Sequence, residues 1–330
     1  EISIMTPTLY PIRFQPLFQY RMWGGDKLSK ELGKAVTEPS IGESWELSAV
    51  DQAETMVSEG PLKGEKLSTL VSRYQADLVG GKVWEQFGVE FPLLIKFIDA
   101  QAPLSVQVHP NDAWARKHHD SFGKNEMWYI LQADLNAELI LGFEESISAE
   151  VYQDALASGT LETLLHKEKV TAGDAFFIPT GRVHAIGAGV LLAEIQQTSD
   201  VTYRIYDYNR VDSKTGKTRT LHTKMAQSVA DFSAAESYAT LYQKKINQQN
   251  TLINTPYFST HYVLLEGTIQ RNYQTLDSFV VLIGVEGVCE LTYHNKAFSL
   301  KRGEVLLIPA SLDTISLQGN KASLLEVHMP

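Results

Sequence analysis

Two distant segments of this chain are spelled almost alike: Gly173-Asp174-Ala175-Phe176-Phe177-Ile178-Pro179 and Gly303-Glu304-Val305-Leu306-Leu307-Ile308-Pro309. In each, a glycine and an acid turn the chain, four apolar residues run on, and a proline stops them. Such a run is strand-sized and too short for a helix. Similar short runs flank both copies: Phe91 to Ile98, Leu104 to His109, Met127 to Leu131, Ala137 to Leu141 and Val190 to Gln196 before residue 200. Phe279 to Ile283, Val288 to Tyr293, Ala297 to Leu300 and Ser323 to His328 follow later. Short, evenly spaced strands predict a sandwich or jelly roll, and the long interval between the copies predicts a duplicated barrel rather than a solenoid. Helical period is expected over Glu65 to Leu78, from Asn111, over Ser148 to Leu165 and over Lys224 to Gln248, with Ser148 and Asn111 as N-caps. The fold class is therefore mainly β with added helices. With 330 residues, two domains are expected, residues 1–235 with helical insertions and residues 236–330.

A net charge of −10 argues against nucleic acid or an anionic membrane as the main partner. An anionic substrate must then be drawn in by a local positive site, against the global field. No apolar run reaches the roughly 18 residues needed to cross a bilayer. The N-terminal residues lack a basic stretch followed by an apolar one, so no secretion signal is expected. The one cysteine, Cys289, sits in a strand-like run with no cationic neighbour and reads as a packed, inert thiol in a reducing compartment. A cytoplasmic protein, monomer or weak homodimer, is the expectation.

Beyond the two prolines the copies diverge. The first continues Thr180-Gly181-Arg182-Val183-His184; the second continues Ala310-Ser311-Leu312-Asp313-Thr314, without the glycine or the histidine. The first pattern, G-x5-P-x-G-x2-H, resembles the second motif of the cupin superfamily, whose histidine ligates a metal. That resemblance turns the two expected barrels into cupin-like jelly rolls, with a metal ligand at His184 and none at Thr314. A second ligand group is expected on another strand. Gln107 and His109 are two apart and project from one face, leaving Val106 and Val108 to pack on the other. A polar pair among valines is costly to bury without a partner, and a metal supplies one. Glu126 is the candidate fourth ligand, although a lone glutamate there is more often solvated.

Longer segments carry a stronger resemblance. Pro103 to Asp112, Gly123 to Trp128, Gly42-Glu43-Ser44-Trp45-Glu46, Arg182 to Ile186 and Ser199 to Arg204 resemble the type I mannose-6-phosphate isomerases in their short bacterial form. The resemblance implies one zinc ion per chain on Gln107, His109, Glu126 and His184, and a sugar phosphate as substrate. Asn125 departs from the threonine often found there, with no effect on ligation expected. Two imidazoles, one carboxylate and one neutral amide leave a divalent ion near +1, the balance of a catalytic rather than a structural site. Aldose–ketose isomerisation also needs a group that moves a proton, and the resemblance places candidates at Lys96, Lys124, Asp200 and Arg204. Arg204 stays charged and neutralises an anion; Asp200 is either the base or the residue that holds Arg204. Lys124 points the same way as Glu126 on an extended chain. Lys96, inside an apolar strand, is a substrate contact or a snorkelling lysine. The rival readings are a sugar-binding cupin sensor, which needs no proton-transfer group, and a cupin oxygenase, which favours redox-active iron.

Overall fold

The computed structural model describes residues 7–330; residues 1–6, where no secretion signal was expected, lie outside the described residues. The chain forms two compact units: Phe18–Ser44 with Leu94–Thr240, and the residues up to Leu17 with Trp45–Leu93 and Leu241–Pro330. Strands dominate both, as the alternating runs predict, and no helix among the described residues is long and apolar enough to cross a membrane.

The first unit is built on two sheets. A five-stranded sheet runs in the order Leu165–Lys169, Glu138–Phe143, His184–Ile186, Val106–Val108, Tyr203–Tyr206. A six-stranded sheet runs Ala175–Ile178, Glu126–Ala133, Val190–Gln197, Leu93–Ala100, Leu17–Gly25, Ile41–Leu47. Their inner faces share one core, in which Ile98, Trp128, Ile130, Phe176, Ile178 and Leu192 meet Leu139, Leu141 and Ile186. The outer face of the five-stranded sheet carries Val106, Val108, Ala185, Tyr203 and Ile205, packed with Tyr152 of helix Ala149–Ser158 and Ala226 of helix Thr223–Val229. Each fully buried large apolar side chain contributes about 1.5–3 kcal/mol. Because alternate residues face opposite ways, fixing Leu141, Ile178 and Ile186 inward also fixes which polar side chains of the same strands point in.

The helices show where local pattern yields to packing. Ser148 and Asn111 are N-caps as expected, accepting from Val151 N at 3.2 Å and Trp114 N at 2.9 Å. The helix begun at Ser148 ends at Gly159, whose left-handed φ of 72° stops it; a short 3-10 turn and a strand follow. The helix expected over Lys224 to Gln248 covers only Thr223–Val229. Beyond it the chain is pulled out straight: Asp231 N donates to Gly181 O, Phe232 packs among Phe143 and Tyr152, and Tyr238 donates to Phe143 O. Those buried aromatic contacts outweigh the few tenths of a kcal/mol per residue that helix propensity offers.

In the second unit a seven-stranded sheet carries the second copy of the repeat as strand Val305–Ile308. Thr314, at the position of His184, is exposed, and Ile315 beside it is buried. The region Glu65 to Leu78 forms helices Leu67–Tyr74 and Ala76–Val79, split at Gln75. They dock on C-terminal segments of this unit through Phe279 N to Val79 O and Ala310 N to Leu78 O. Cys289 is buried, and burial pushes its thiol up to about 11, which suits an inert packing role.

Candidate metal centre and active site

Strand register brings the polar residues together. His184 pairs with Gln107, and Gln107 pairs in turn with Arg204 on its other side. Directly opposed residues share a face, and His184 also opposes Leu141 of the inner core. Gln107, His184 and Arg204 therefore point inward. On the six-stranded sheet, Glu126 opposes Ile178 and Gln196, and Glu194 opposes Trp128. Those side chains face inward as well, and Lys96 alternates with the inner-core Ile98 and Ala100. His109 stands just beyond the end of its strand.

Three of these groups converge. His109, Glu126 and His184 each offer a ligand atom, all within 4.8 Å of one another and all buried. His109 Nε2 lies 3.5 Å from Glu126 Oε2, and His184 Nε2 lies 3.3 Å from Glu126 Oε1. Both imidazoles are oriented from behind: His109 Nδ1 donates to Val201 O at 3.1 Å and His184 Nδ1 to Arg182 O at 2.8 Å. That fixes the tautomer with a bare Nε2 toward the cavity, the usual second support of a metal ligand. Burial, with Lys124 next, pushes His109 down to about 3, so its ring is neutral at pH 7. His109 Nε2, His184 Nε2 and Glu126 Oε2 are buried with no hydrogen-bond partner. The two bare imidazole nitrogens cost about 1–3 kcal/mol each, and one divalent cation would satisfy them together with Glu126, whose Oε2 otherwise has the Lys124 ammonium at 3.4 Å. The residues fit a cation. Gln107 shares their face and is half-buried, but its amide makes no hydrogen bond among the described residues.

Cations and carboxylates surround the cluster. Lys124 Nζ is 3.4 Å from Glu126 Oε2, and Lys96 Nζ is 3.4 Å from Glu194 Oε1. Burial works against the charge on Lys124, yet Glu126, Glu194 and Glu43 hold its pKa above the usual lysine value. Burial likewise opposes ionisation of Glu126, but Lys124 and His109 hold its carboxyl well below the usual range. Glu194 goes the other way: burial, then the charge of Glu126, pushes it up against the pull of Lys96 and Lys124. Arg204 donates from Nε to Ser105 Oγ at 3.3 Å and from Nη1 to Thr220 O at 2.9 Å.

Asp200 is not drawn in. It is exposed, on an irregular stretch, and makes no ion pair with Arg204 among the described residues. Four residues of extended chain span about 13 Å, so closeness in sequence places neither beside the other.

Glu194 escapes the sequence reading, and Asn125 enters it only as a departure without effect on ligation. Glu194 is a carboxylate in the apolar run Val190 to Ile195, the kind of misfit that marks a buried partner. Its Oε2 accepts from Trp128 Nε1 at 2.9 Å. Asn125 ties three elements together: its Nδ2 donates to Gln197 Oε1 at 2.8 Å, and its Oδ1 accepts from Thr180 N at 3.0 Å. It thus holds the start of the Glu126 strand against the turn that leads to His184. The Gly24 and Gly42 segments are structural: a Cβ on Gly24 would lie 2.4 Å from Gly42 N, so two backbones touch there. Glu43 beside them pairs with Arg21 at 2.9 Å.

The sequence matches the family model for the phosphomannose isomerase type I catalytic domain over residues 12–141, and that for the mannose-6-phosphate isomerase cupin domain over residues 247–329. Mannose-6-phosphate isomerase ManA of Bacillus subtilis (strain 168) is 36% identical over 315 residues, covering 94% of this chain and 97% of the relative. This chain belongs to the type I phosphomannose isomerase family. Mannose-6-phosphate isomerase of Streptococcus mutans is 33% identical, over 94% and 96% of the two chains. The crystal structure of mannose 6-phosphate isomerase from Bacillus subtilis superposes with a TM-score of 0.88 at 32% identity, covering 97% of this chain and all of that one. The structure of a putative mannosephosphate isomerase from Archaeoglobus fulgidus, at 24% identity and a TM-score of 0.79, shares the fold. Membership of this family places the cluster of His109, Glu126 and His184 in a fold whose relatives are isomerases.

Proposed function

We propose that this chain interconverts mannose 6-phosphate and fructose 6-phosphate with one zinc ion held by Gln107, His109, Glu126 and His184. The observation that carries the reading is the convergence of three buried ligand atoms with no hydrogen-bond partner among the described residues, beside Lys124 and Lys96. Mixed nitrogen and oxygen donors suit zinc. A bound zinc ion supplies Lewis-acid polarisation of the sugar oxygens at C1 and C2, worth several kcal/mol.

The chain's own groups do the rest. Burial and the charge of Glu126 raise the Glu194 carboxyl above the ordinary carboxylate value, which makes it a stronger base for taking and returning a proton. We assign to it, in place of Asp200, the transfer of the C2 proton to C1 through a cis-enediol. Lys124, kept protonated by its acidic neighbours, donates to developing negative charge on the sugar rather than abstracting a proton. Arg204, on the same inner face as Gln107, carries charge that neutralises the anionic substrate. Lys96 holds Glu194 and is a substrate contact only through it.

Residues 236–330 are proposed to add no metal, and the working state to be a cytoplasmic monomer or weak homodimer. A sensor would not need a buried proton-moving carboxylate, and an oxygenase would not need the cationic surroundings. The test is fructose 6-phosphate formation from mannose 6-phosphate, before and after dipicolinate dialysis and after zinc is restored. Metal-free protein at full activity would end the proposal. Deuterium carried from heavy water into carbon-bound positions of the product would establish proton transfer over a hydride shift.

A further inference from the structure

The strand of Arg204 is irregular in a way that matters one step further along. Arg204 pairs with Gln107, but the next pair in the ladder is Tyr206 with Val106. The extra residue reverses the alternation. Tyr206 therefore joins Val106 in the outer core, and Asp207 returns to the side of Arg204. There the buried Asp207 carboxylate accepts from Arg219 Nε at 2.8 Å, Arg219 Nη2 at 2.7 Å and Arg210 Nη2 at 2.5 Å. Arg204 Nη1 donates to the carbonyl of Thr220, the residue after Arg219. Both arginines are thus anchored on one short segment, and Arg204 feels the crowding: burial, then the charge of Arg219, lowers its pKa.

A count of donors separates the three guanidinium groups. Arg210 is used up, with Nε on Asp207 O, Nη1 on Pro103 O, Nη2 on Asp207 and its plane 5.0 Å from the Tyr208 ring. Arg219 spends its Nε and Nη2 edge on Asp207, which leaves Nη1 with no partner among the described residues. Arg204 spends Nε and Nη1, which leaves Nη2. One arginine is enough to neutralise one carboxylate. The second arginine leaves a charge of +1 and an unused donor edge in a chain of net charge −10.

We propose that Arg219, oriented by Asp207 beside Arg204, grips the phosphate of the sugar substrate, with Asp207 as the positioning residue. This rests on the sugar-phosphate reading above. A planar fork pinned along one edge presents the other to a phosphate with little entropy left to lose. The order of elements also suits a six-carbon chain. The Arg204 strand lies about 5 Å across the sheet from the Gln107 strand, and the segment after Arg219 runs beside it, His222 N donating to Arg204 O at 2.7 Å.

The experiment uses metal-loaded full-length protein and the variants Arg219→Gln, Asp207→Asn and Arg219→Lys. Arg219→Gln should raise KM for mannose 6-phosphate at least about tenfold, more than it lowers kcat, and weaken competitive inhibition by inorganic phosphate equally. Asp207→Asn, which unpins the fork, should raise KM roughly threefold or more. A merely structural role would instead lower kcat through the folded fraction and leave KM alone. KM within about twofold of the parent in folded Arg219→Gln would overturn the proposal. Should that variant not fold, Arg219→Lys decides in the same way, because lysine keeps the charge but not the fork. If the parent protein does not turn over mannose 6-phosphate, the sugar-phosphate reading fails. Calorimetry with inorganic phosphate then judges the anion site alone, weaker binding by Arg219→Gln supporting it and equal binding sinking it.

Discussion

Glu194→Gln separates the two assignments of the proton-moving group. The side chain keeps its shape and loses its ionisable proton. Glu194 serves two neighbours at once, Trp128 Nε1 at 2.9 Å and Lys96 Nζ at 3.4 Å. An amide has one oxygen, so if it stays with Trp128 its NH2 faces an ammonium. Both members of the Lys96 pair are almost sealed from water, at 6% and 4% side-chain exposure. Removing one partner of such a pair costs about 3–5 kcal/mol, and proton loss from Lys96 relieves part of it. A loss of about 2–4 kcal/mol is therefore expected in denaturant unfolding. Loss of a general base removes about a hundred- to ten-thousandfold in rate, or roughly 3–5 kcal/mol of barrier. The assay is kcat at saturating mannose 6-phosphate, with metal content checked on the same sample. Asp200→Asn, at an exposed carboxylate with no ion pair among the described residues, should keep kcat within about threefold. A folded, metal-loaded Glu194→Gln within about fivefold of the parent refutes the assignment. A hundredfold fall in Asp200→Asn restores the reading made from sequence.

Three further outcomes follow from the packing. Asn125→Ala removes one buried and one part-buried side-chain hydrogen bond; about 2–3 kcal/mol of stability and roughly tenfold in metal affinity should go with them, read by unfolding and competition with a chelator. In the second unit, burial and then His328 push His261 down to about 4 from 6.5. A depressed folded pKa means stability that is complete above pH 6.5 and is lost as pH falls toward 4. The loss is about 2–3 kcal/mol, and melting of His261→Gln from pH 7 to 4 should show a shallower decline than the parent. The double variant His294→Ala, His328→Ala should hold as much metal per chain as the parent by elemental analysis; half as much would place a ligand in the second barrel.

The strands were legible because two-residue alternation and the Gly and Pro stops are local signals, and the strands Ala175–Ile178 and Val305–Ile308 fall where the repeat puts them. The long helix after Lys224 was misread for the converse reason. Its sequence is helical by period, but Phe232 and Tyr238 have better partners in Phe143 and Tyr152 than a helix surface would give them. The grouping of Leu67–Tyr74 and Ala76–Val79 with the C-terminal strands rests on backbone bonds to Phe279 and Ala310. No window of local sequence contains such contacts.

The site divides along the same line. His184 could be read because the turn before it has its own spelling, and Gln107 with His109 because two-residue spacing puts them on one face. Asp200 is a candidate by family resemblance alone, and its four-residue separation from Arg204 would mean adjacency only on a helix. Glu194 and Asn125 take their value from across the sheet: Glu194 from Trp128 opposite it and Lys96 on the next strand, Asn125 from Gln197 and Thr180. A barrel makes this general. Its ligands come from several strands that meet only when the sheets face each other, so a motif can name a ligand but not the groups that set its charge. Glu194 illustrates the consequence: its pKa moves in response to Glu126, and it stands beside it only because the strands of Glu126 and Gln196 are in register. A one-residue slip of that pairing would turn Glu194 to the outer face, away from the three ligands.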